Sequence, residues 1–117
     1  MSQGELAANN YAVSLIQLQR PKEAKAFLSK TLPVARRFLG ENDETTLRIR
    51  TLYAQTLYRD KGSTLDDLRE AVTTLEETAR TTRRVLGDTH PTAKGIEHHL
   101  QNARAALRAR ETQSTSA

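Results

Sequence analysis

The sequence predicts an all-α fold, an α-solenoid of antiparallel helix pairs that ends in a single capping helix. Its apolar residues are mostly Leu and Ala, and Gly, Pro and aromatic residues are scarce, which favours closely packed helices over strands. The phrase ARRFLGENDETT, ending at Thr46, is followed later by TRRVLGDTHPTA, ending at Ala93. Gly40 and Gly87 in these phrases lie 47 residues apart, a distance typical of stacked helical units.

The first two predicted helices form one pair. The first covers about residues 5–19, with an apolar stripe at helical spacing, which consists of Leu6, Tyr11, Leu15 and Leu18. Pro21 suits the first turn of the second helix, which covers about residues 22–39 and is closed by Gly40. The residues predicted to face the core in this second helix are Ala24, Phe27, Leu28, Thr31, Ala35 and Phe38.

The next two predicted helices form the second pair. Asp43 is a suitable N-cap for the third helix, which ends before Lys61-Gly62. Its inner side carries Ile49, Leu52, Tyr53, Thr56 and Leu57. Ser63, with Asp66 three residues later, resembles a capping box and predicts the start of the fourth helix. That helix ends at Gly87 and has an unbroken inner stripe of Leu65, Leu68, Val72, Leu75, Ala79, Thr82 and Leu86.

A fifth helix is predicted over about residues 91–110. Its apolar stripe is narrow, so it can cover one neighbour but cannot carry a further layer; the stripe consists of Ile96, Leu100, Ala103 and Leu107. We therefore predict one domain over residues 1–111, with repeats at about 5–40 and 43–87 and a capping helix. Residues 112–117 lack apolar side chains and are expected to form a flexible tail.

Composition and motifs exclude several kinds of site. There is no cysteine, which removes disulfides, thiolate zinc sites and cysteine nucleophiles. No pair of histidines has the four-residue spacing of a zinc-binding helix, because His98 and His99 are adjacent and His90 lies at a turn. Nucleotide-binding and nucleophile motifs are also missing, so we expect no catalytic activity, metal or cofactor. The polar N-terminal stretch and the short apolar runs predict no membrane segment, and a cytoplasmic location follows by default.

The repeat holds through both helices of each pair. Glu23-Ala24 matches Glu70-Ala71 at a distance of 47 residues, and Tyr11-Ala12 matches Tyr53-Ala54 at 42. The difference is an insertion near KGSTL, between the third and fourth helices.

Over residues 5–110 this unit resembles the longer tetratricopeptide repeat of the kinesin light chain type. The matching motifs are Asn9-Asn10-Tyr11-Ala12, the two Glu-Ala steps, and Leu86-Gly87-Asp88-Thr89-His90-Pro91. We call the segment that follows Gly40 the first junction and the segment that follows Gly87 the second junction. The first junction departs from the family pattern, because it has Asn42-Asp43-Glu44 in place of His-Pro.

The resemblance implies a non-catalytic protein-interaction module. In that family the first helix of each pair lines a concave face and binds extended peptide segments. Carried over by helical position, the implied contact residues are Leu6, Asn9, Asn10, Val13 and Gln17, then Arg48, Thr51, Gln55 and Arg59, then His98 and Asn102. Amides both donate and accept hydrogen bonds, and the cations suit acidic side chains. A peptide or protein partner is therefore expected, and an acidic partner is compatible with these residues.

Two alternative functions stay open. The first helix is apolar nearly all round, which predicts cover by further repeats or by a second copy in a homo-oligomeric scaffold. The net charge is +4, and residues 20–37 contain six basic residues and one acidic residue, which would allow contact with nucleic-acid phosphates. No aromatic stacking platform or recognition-helix pattern supports this last alternative.

Overall fold

The computed structural model describes the backbone of residues 3–116 and the side chains of residues 10–113. Within this part the chain forms five α-helices and no strand, which confirms the predicted all-α repeat fold. The helices are α1 Gln3–Gln17, α2 Pro21–Leu39, α3 Glu44–Arg59, α4 Leu65–Leu86 and α5 Pro91–Ser116. None of these described helices is apolar over a stretch long enough to cross a membrane.

The helices pack as two layers that share α3. Each helix contacts the next along the chain, and α3 also contacts α1 and α5. The first layer consists of α1, α2 and α3, and its buried cluster contains Ala12, Leu28, Leu32, Ala35 and Ile49. The second layer consists of α3, α4 and α5, and its cluster contains Ala54, Leu57, Ala71, Leu75, Ala79, Ile96, Leu100 and Ala103. Tyr53 packs against both clusters, so it joins the layers.

The two repeated phrases have the same backbone conformation. Gly40 has a φ of 92° and Gly87 a φ of 94°, and residues other than glycine rarely adopt such values. The Gly40 N–H donates to the Arg36 carbonyl at 3.1 Å, and the Gly87 N–H donates to the Arg83 carbonyl at 3.0 Å. Each phrase therefore ends one helix at a left-handed glycine before the next helix begins.

A side chain caps the helix that follows each glycine. Asp43 Oδ1 accepts from the Thr45 N–H at 2.8 Å at the start of α3. His90 Nδ1 accepts from the Thr92 N–H at 3.1 Å at the start of α5. Both acceptors satisfy a first-turn amide that has no partner inside its helix.

The predicted start of α4 is wrong by one residue. Thr64, not Ser63, is the N-cap, and Asp67 completes the capping box. The Thr64 Oγ1 accepts from the Asp67 N–H and the Asp67 carboxylate accepts from the Thr64 N–H, both at 3.0 Å. The Thr64 N–H also lowers the pKa of the Asp67 carboxyl, since it binds the charged form. Ser63 instead donates its hydroxyl to the Leu57 carbonyl.

Three residues predicted to face the core are exposed. Phe38 is 74% exposed, because the buried side of α2 continues from Ala35 to the half-buried Leu39. Tyr11 is 51% exposed and Leu18 is 65% exposed, while Leu15 between them is buried. Tyr11 of α1 corresponds in the repeat to Tyr53 of α3. Tyr53 packs against the buried clusters of both layers, whereas Tyr11 is half exposed.

The fifth helix is longer than predicted. It continues to Ser116, through most of the segment expected to be a flexible tail, and Ala117 lies outside the described residues. Arg110 Nη1 donates to the Ser63 carbonyl at 2.6 Å, which fastens the helix to the loop between α3 and α4. The Thr112 hydroxyl donates to the Arg108 carbonyl one turn earlier. The Arg110 bond thus gives α5 a tertiary contact beyond the end of its apolar stripe at Leu107.

Candidate partner-binding groove

The first helices of the units lie side by side and enclose a cleft of about 330 Å³. Five of the residues predicted to contact a partner line this cleft, namely Asn10, Val13, Arg48, Thr51 and Gln55. They come from α1 and α3, which are consecutive first helices in the repeat. The remaining lining residues, which the prediction did not include, are Leu52, Thr92, Gly95, Ile96 and His99.

Other predicted contact residues lie away from this cleft. Gln17 is exposed at the end of α1, and Arg59 lines a second cleft near the turns. His98 and Asn102 lie on the exposed side of α5, where Asn102 Nδ2 and His98 Nε2 are 3.2 Å apart. The Leu6 and Asn9 side chains lie outside the described residues. The binding role of all of these residues stays a prediction.

The cleft has an apolar part and a polar part. Val13, Leu52 and Ile96 supply apolar surface from three different helices. Arg48 supplies a cation that is paired with Glu44 at 2.7 Å, and the Thr92 hydroxyl donates to the same carboxylate oxygen at 3.3 Å. The apolar residues of such a lining can contact an apolar side chain of a ligand, and the polar residues can bind its polar groups.

Gln55 is held in place by a neighbouring arginine. In the orientation that satisfies both side chains, Gln55 Oε1 accepts from Arg59 Nη1 at 3.1 Å and from Nη2 at 3.2 Å. Gln55 is buried, and its amide nitrogen keeps two donor hydrogens. Arg59 therefore affects the cleft indirectly, by orienting a residue that lines it.

His99 is the lining residue that the prediction missed most clearly. It is half-buried, and its Nδ1 is 2.7 Å from the Tyr58 hydroxyl of α3. Burial lowers the pKa of the His99 imidazole, and the charges of Arg59 and His98 lower it further. Helical spacing puts Thr92, Ile96 and His99 on one side of α5, but the spacing alone does not decide which side faces the cleft. The prediction instead took His98, in line with Thr51.

The second cleft, of about 690 Å³, lies beside the turns that join α1 to α2 and α3 to α4. Arg20, Lys22, Arg59 and Lys61 line it together with Glu23 and Asp60. Arg20 forms two hydrogen bonds to Glu23, at 2.9 and 2.7 Å. Other cations of residues 20–37 are elsewhere, with Lys25 near Asp67 and Arg36 paired with Glu41. Several cations of the basic segment are therefore paired with carboxylates, and contact with nucleic-acid phosphates stays a prediction.

A cation is also buried behind the first junction. Arg50 is only 7% exposed, and its Nη1 lies 3.7 Å from the Glu41 carboxylate. Burial lowers the pKa of Arg50, and Glu41 partly offsets this effect. No group of three or more His, Cys, Asp or Glu side chains that could hold a metal ion occurs within the described residues.

One comparison with known proteins gives a match over part of the chain. Residues 63–92, which contain α4 and the second junction, match a family model described as a tetratricopeptide repeat. Searches of curated proteins and of solved structures gave no match. The matched segment includes Leu86-Gly87 and His90-Pro91, the motif on which the resemblance was based.

Proposed function

We propose that this chain, a repeat protein of the tetratricopeptide type, binds a peptide segment of a partner protein in the cleft between α1, α3 and α5. Repeats of this family generally mediate interactions between proteins. The observation that supports the proposal most is the convergence of polar and apolar side chains from three helices on one cleft. We also propose that the repeats are of the kinesin light chain type, since the register at 42 and 47 residues and the Leu-Gly-x-x-His-Pro motif favour it.

The lining suits an extended peptide. Such a segment presents backbone N–H and C=O groups without partners, and the Asn10 and Gln55 amides can bind groups of this kind. The Arg48 guanidinium can bind a carboxylate if the ligand competes with Glu44. Val13, Leu52 and Ile96 would contact an apolar side chain of the peptide. These features together favour a peptide with one apolar and at least one acidic residue.

A peptide-display selection against the wild-type chain tests the proposal. The selected peptides are then measured against Asn10→Ala combined with Arg48→Ala. We expect about a tenfold or larger loss of affinity, because the variant removes a hydrogen bond to a charged group as well as an amide contact. Far-UV circular dichroism should show unchanged helicity.

The matched control is Gln101→Ala combined with Arg108→Ala, which removes an amide and a guanidinium from the exposed side of α5. This control should bind the selected peptides as the wild type does. Unaltered binding by the Asn10/Arg48 variant, or equal losses in both variants, would contradict binding in this cleft.

Self-assembly is a second candidate function, and the exposure of α1 favours it. Tyr11 and Leu18 are exposed, and the Tyr11 ring contacts Phe27 of α2 edge to face with centroids 4.9 Å apart. Such a surface can be covered by a second copy. Light scattering should then show a dimer that Leu18→Glu converts to a monomer. A strict monomer at high concentration would refute this candidate.

A further inference from the structure

The His99 imidazole lies at the contact between two first helices and also lines the proposed peptide cleft. Its Nδ1 is 2.7 Å from the Tyr58 hydroxyl, so one hydrogen bond joins α5 to α3 at this wall. The Tyr58 and His99 rings are tilted, with centroids 6.1 Å apart. Because the bond fixes one ring nitrogen, Nε2 remains as the nitrogen that can pair with a ligand.

The groups around His99 keep it neutral near neutral pH. Burial disfavours the charged imidazolium, and Arg59 of α3 and His98 of α5 add like charge. Arg48 of α3 also lines the cleft, but Glu44 pairs with it. From α1 the described lining residues are the uncharged Asn10 and Val13, and no described group of α4 acts on the imidazole. The cleft therefore lacks the counter-anion that would favour protonation.

We propose that His99 makes the cleft bind acidic peptides more tightly as the pH falls below neutral. This inference rests on the proposed function and adds a form of regulation to the same site. A ligand carboxylate near the ring supplies the missing counter-anion, so binding is accompanied by partial uptake of a proton from solvent. The imidazolium then donates from both nitrogen atoms, through Nδ1–H to the Tyr58 oxygen and through Nε2–H to the carboxylate.

The sign of the effect follows from linkage. If the complex holds the His99 proton more tightly than the free protein does, affinity rises as pH falls from the pKa of the complex towards that of the free protein. Below the lower value both forms are protonated, and affinity no longer changes. Glutamate side chains titrate mainly near pH 4, so the effect is to be sought between pH 7.5 and 5.5.

The test uses two synthetic probes, the peptide acetyl-Glu-Glu-Leu-Glu-Glu-amide and its counterpart with Gln in place of Glu. Calorimetry at pH 7.5, 6.5 and 5.5 compares the wild type, His99→Gln and His90→Asn. We expect the acidic probe to bind the wild type about three- to tenfold more tightly at pH 5.5 than at pH 7.5, equivalent to a pKa difference of up to about one unit. His99→Gln should lose this dependence. His90→Asn, which replaces a histidine outside the cleft lining with another N-cap residue, should keep it. The Gln probe should show no such dependence with any of the proteins.

A second measurement needs no variant. The titration of the His99 ring in the wild type, followed by nuclear magnetic resonance, should move to higher pH when the acidic probe is added. An unmoved His99 titration, a wild-type affinity independent of pH, or no binding of the acidic probe at any pH would overturn the inference. The proposed function is judged separately, since peptides selected at pH 7.5 can bind the cleft and lose affinity in the Asn10/Arg48 variant whatever His99 does.

Discussion

At the first junction the Asp43 carboxylate caps α3, whereas at the second junction the His90 imidazole caps α5. Both side chains accept from the backbone N–H two residues further on, and both follow a glycine with nearly the same φ. Each junction therefore needs a glycine with a positive φ, followed by a side chain that accepts a hydrogen bond from a first-turn N–H of the next helix. Either a carboxylate or an imidazole can be that acceptor. Asn42-Asp43-Glu44 therefore serves where the family pattern has His-Pro.

The buried contact behind each junction also differs. In the first layer the Thr46 hydroxyl donates to the Ala35 carbonyl at 3.4 Å. In the second layer, 47 residues later, Thr46 is replaced by Ala93 of α5 and Ala35 is replaced by Thr82 of α4. The hydroxyl group is therefore on the earlier of the two helices instead of the later one. There the Thr82 Oγ1 is buried and has no hydrogen-bond partner among the described residues. The second layer thus contains an unsatisfied polar atom where the first has a long hydrogen bond.

The largest expected effect tests whether the two junctions are equivalent. Gly40→Ala and Gly87→Ala should each lower the free energy of unfolding by about 1–3 kcal/mol, because a φ near +93° with an extended ψ is strained for any other residue. An added Cβ at either position would meet no residue that is distant in the chain within 4 Å, so backbone strain is the cause. Urea unfolding measures both losses, which should agree within about 1 kcal/mol. Gly62→Ala is the control, since its φ is not positive and its added Cβ makes an ordinary contact with Asp60. A large loss at only one junction would break the comparison.

The junctions and the helices could be predicted because their signals are local. Glycine, a capping residue and apolar spacing lie within a few residues of the feature that they specify, as at Gly87 and along Leu68 and Leu75. The start of α4 could not be fixed in the same way. Ser63 and Thr64 each have an aspartate three residues later, and only the tertiary contacts of Ser63 with Leu57 and Arg110 distinguish them.

The candidate site shows the same limit. Asn10, Arg48 and Gln55 could be predicted from their positions on first helices that repeat in register. His99 could not, since the rotation of α5 about its axis decides whether residue 98 or residue 99 faces the cleft. That rotation depends on the packing of Ile96 and Leu100 against α3 and α4, which no local signal in α5 specifies.

The next expected effect compares the caps. Asp43→Ala should lower the free energy of unfolding by about 1 kcal/mol, because the Thr45 N–H loses its acceptor. His90→Ala should cost less, since its bond is longer and histidine is not among the preferred N-caps. His90→Asp should then be neutral or stabilising. Thermal unfolding of the three variants ranks the caps, and a greater loss at His90 than at Asp43 would contradict the ranking.

A smaller effect of opposite sign is expected at the buried hydroxyls. Thr82→Val keeps the side-chain shape and removes an oxygen without a partner, so it should raise the free energy of unfolding by up to about 1 kcal/mol. Thr46→Val removes a hydroxyl that donates to Ala35, so it should lower the free energy of unfolding by up to a similar amount. Denaturant midpoints of the two variants should therefore move in opposite directions. A loss of stability in Thr82→Val would mean that its hydroxyl is satisfied in solution.

The subtlest difference between the layers is their response to pH. The second layer has the Tyr58–His99 hydrogen bond, whereas the matching residues of the first, Ile16 and Leu52, cannot titrate. Because burial holds the pKa of His99 below that of an unfolded histidine, about 6.5, the unfolded chain binds the proton more tightly. The stabilising contribution of neutral His99 is therefore complete above pH 6.5 and is lost as pH falls from there towards the folded-state pKa. Hydrogen exchange at pH 7.0 and 5.5, corrected for intrinsic rates, should show protection lost in α5 more than in α2, and His99→Gln should remove that difference. Equal losses of protection in α5 and α2 would mean that the titrating group is not His99.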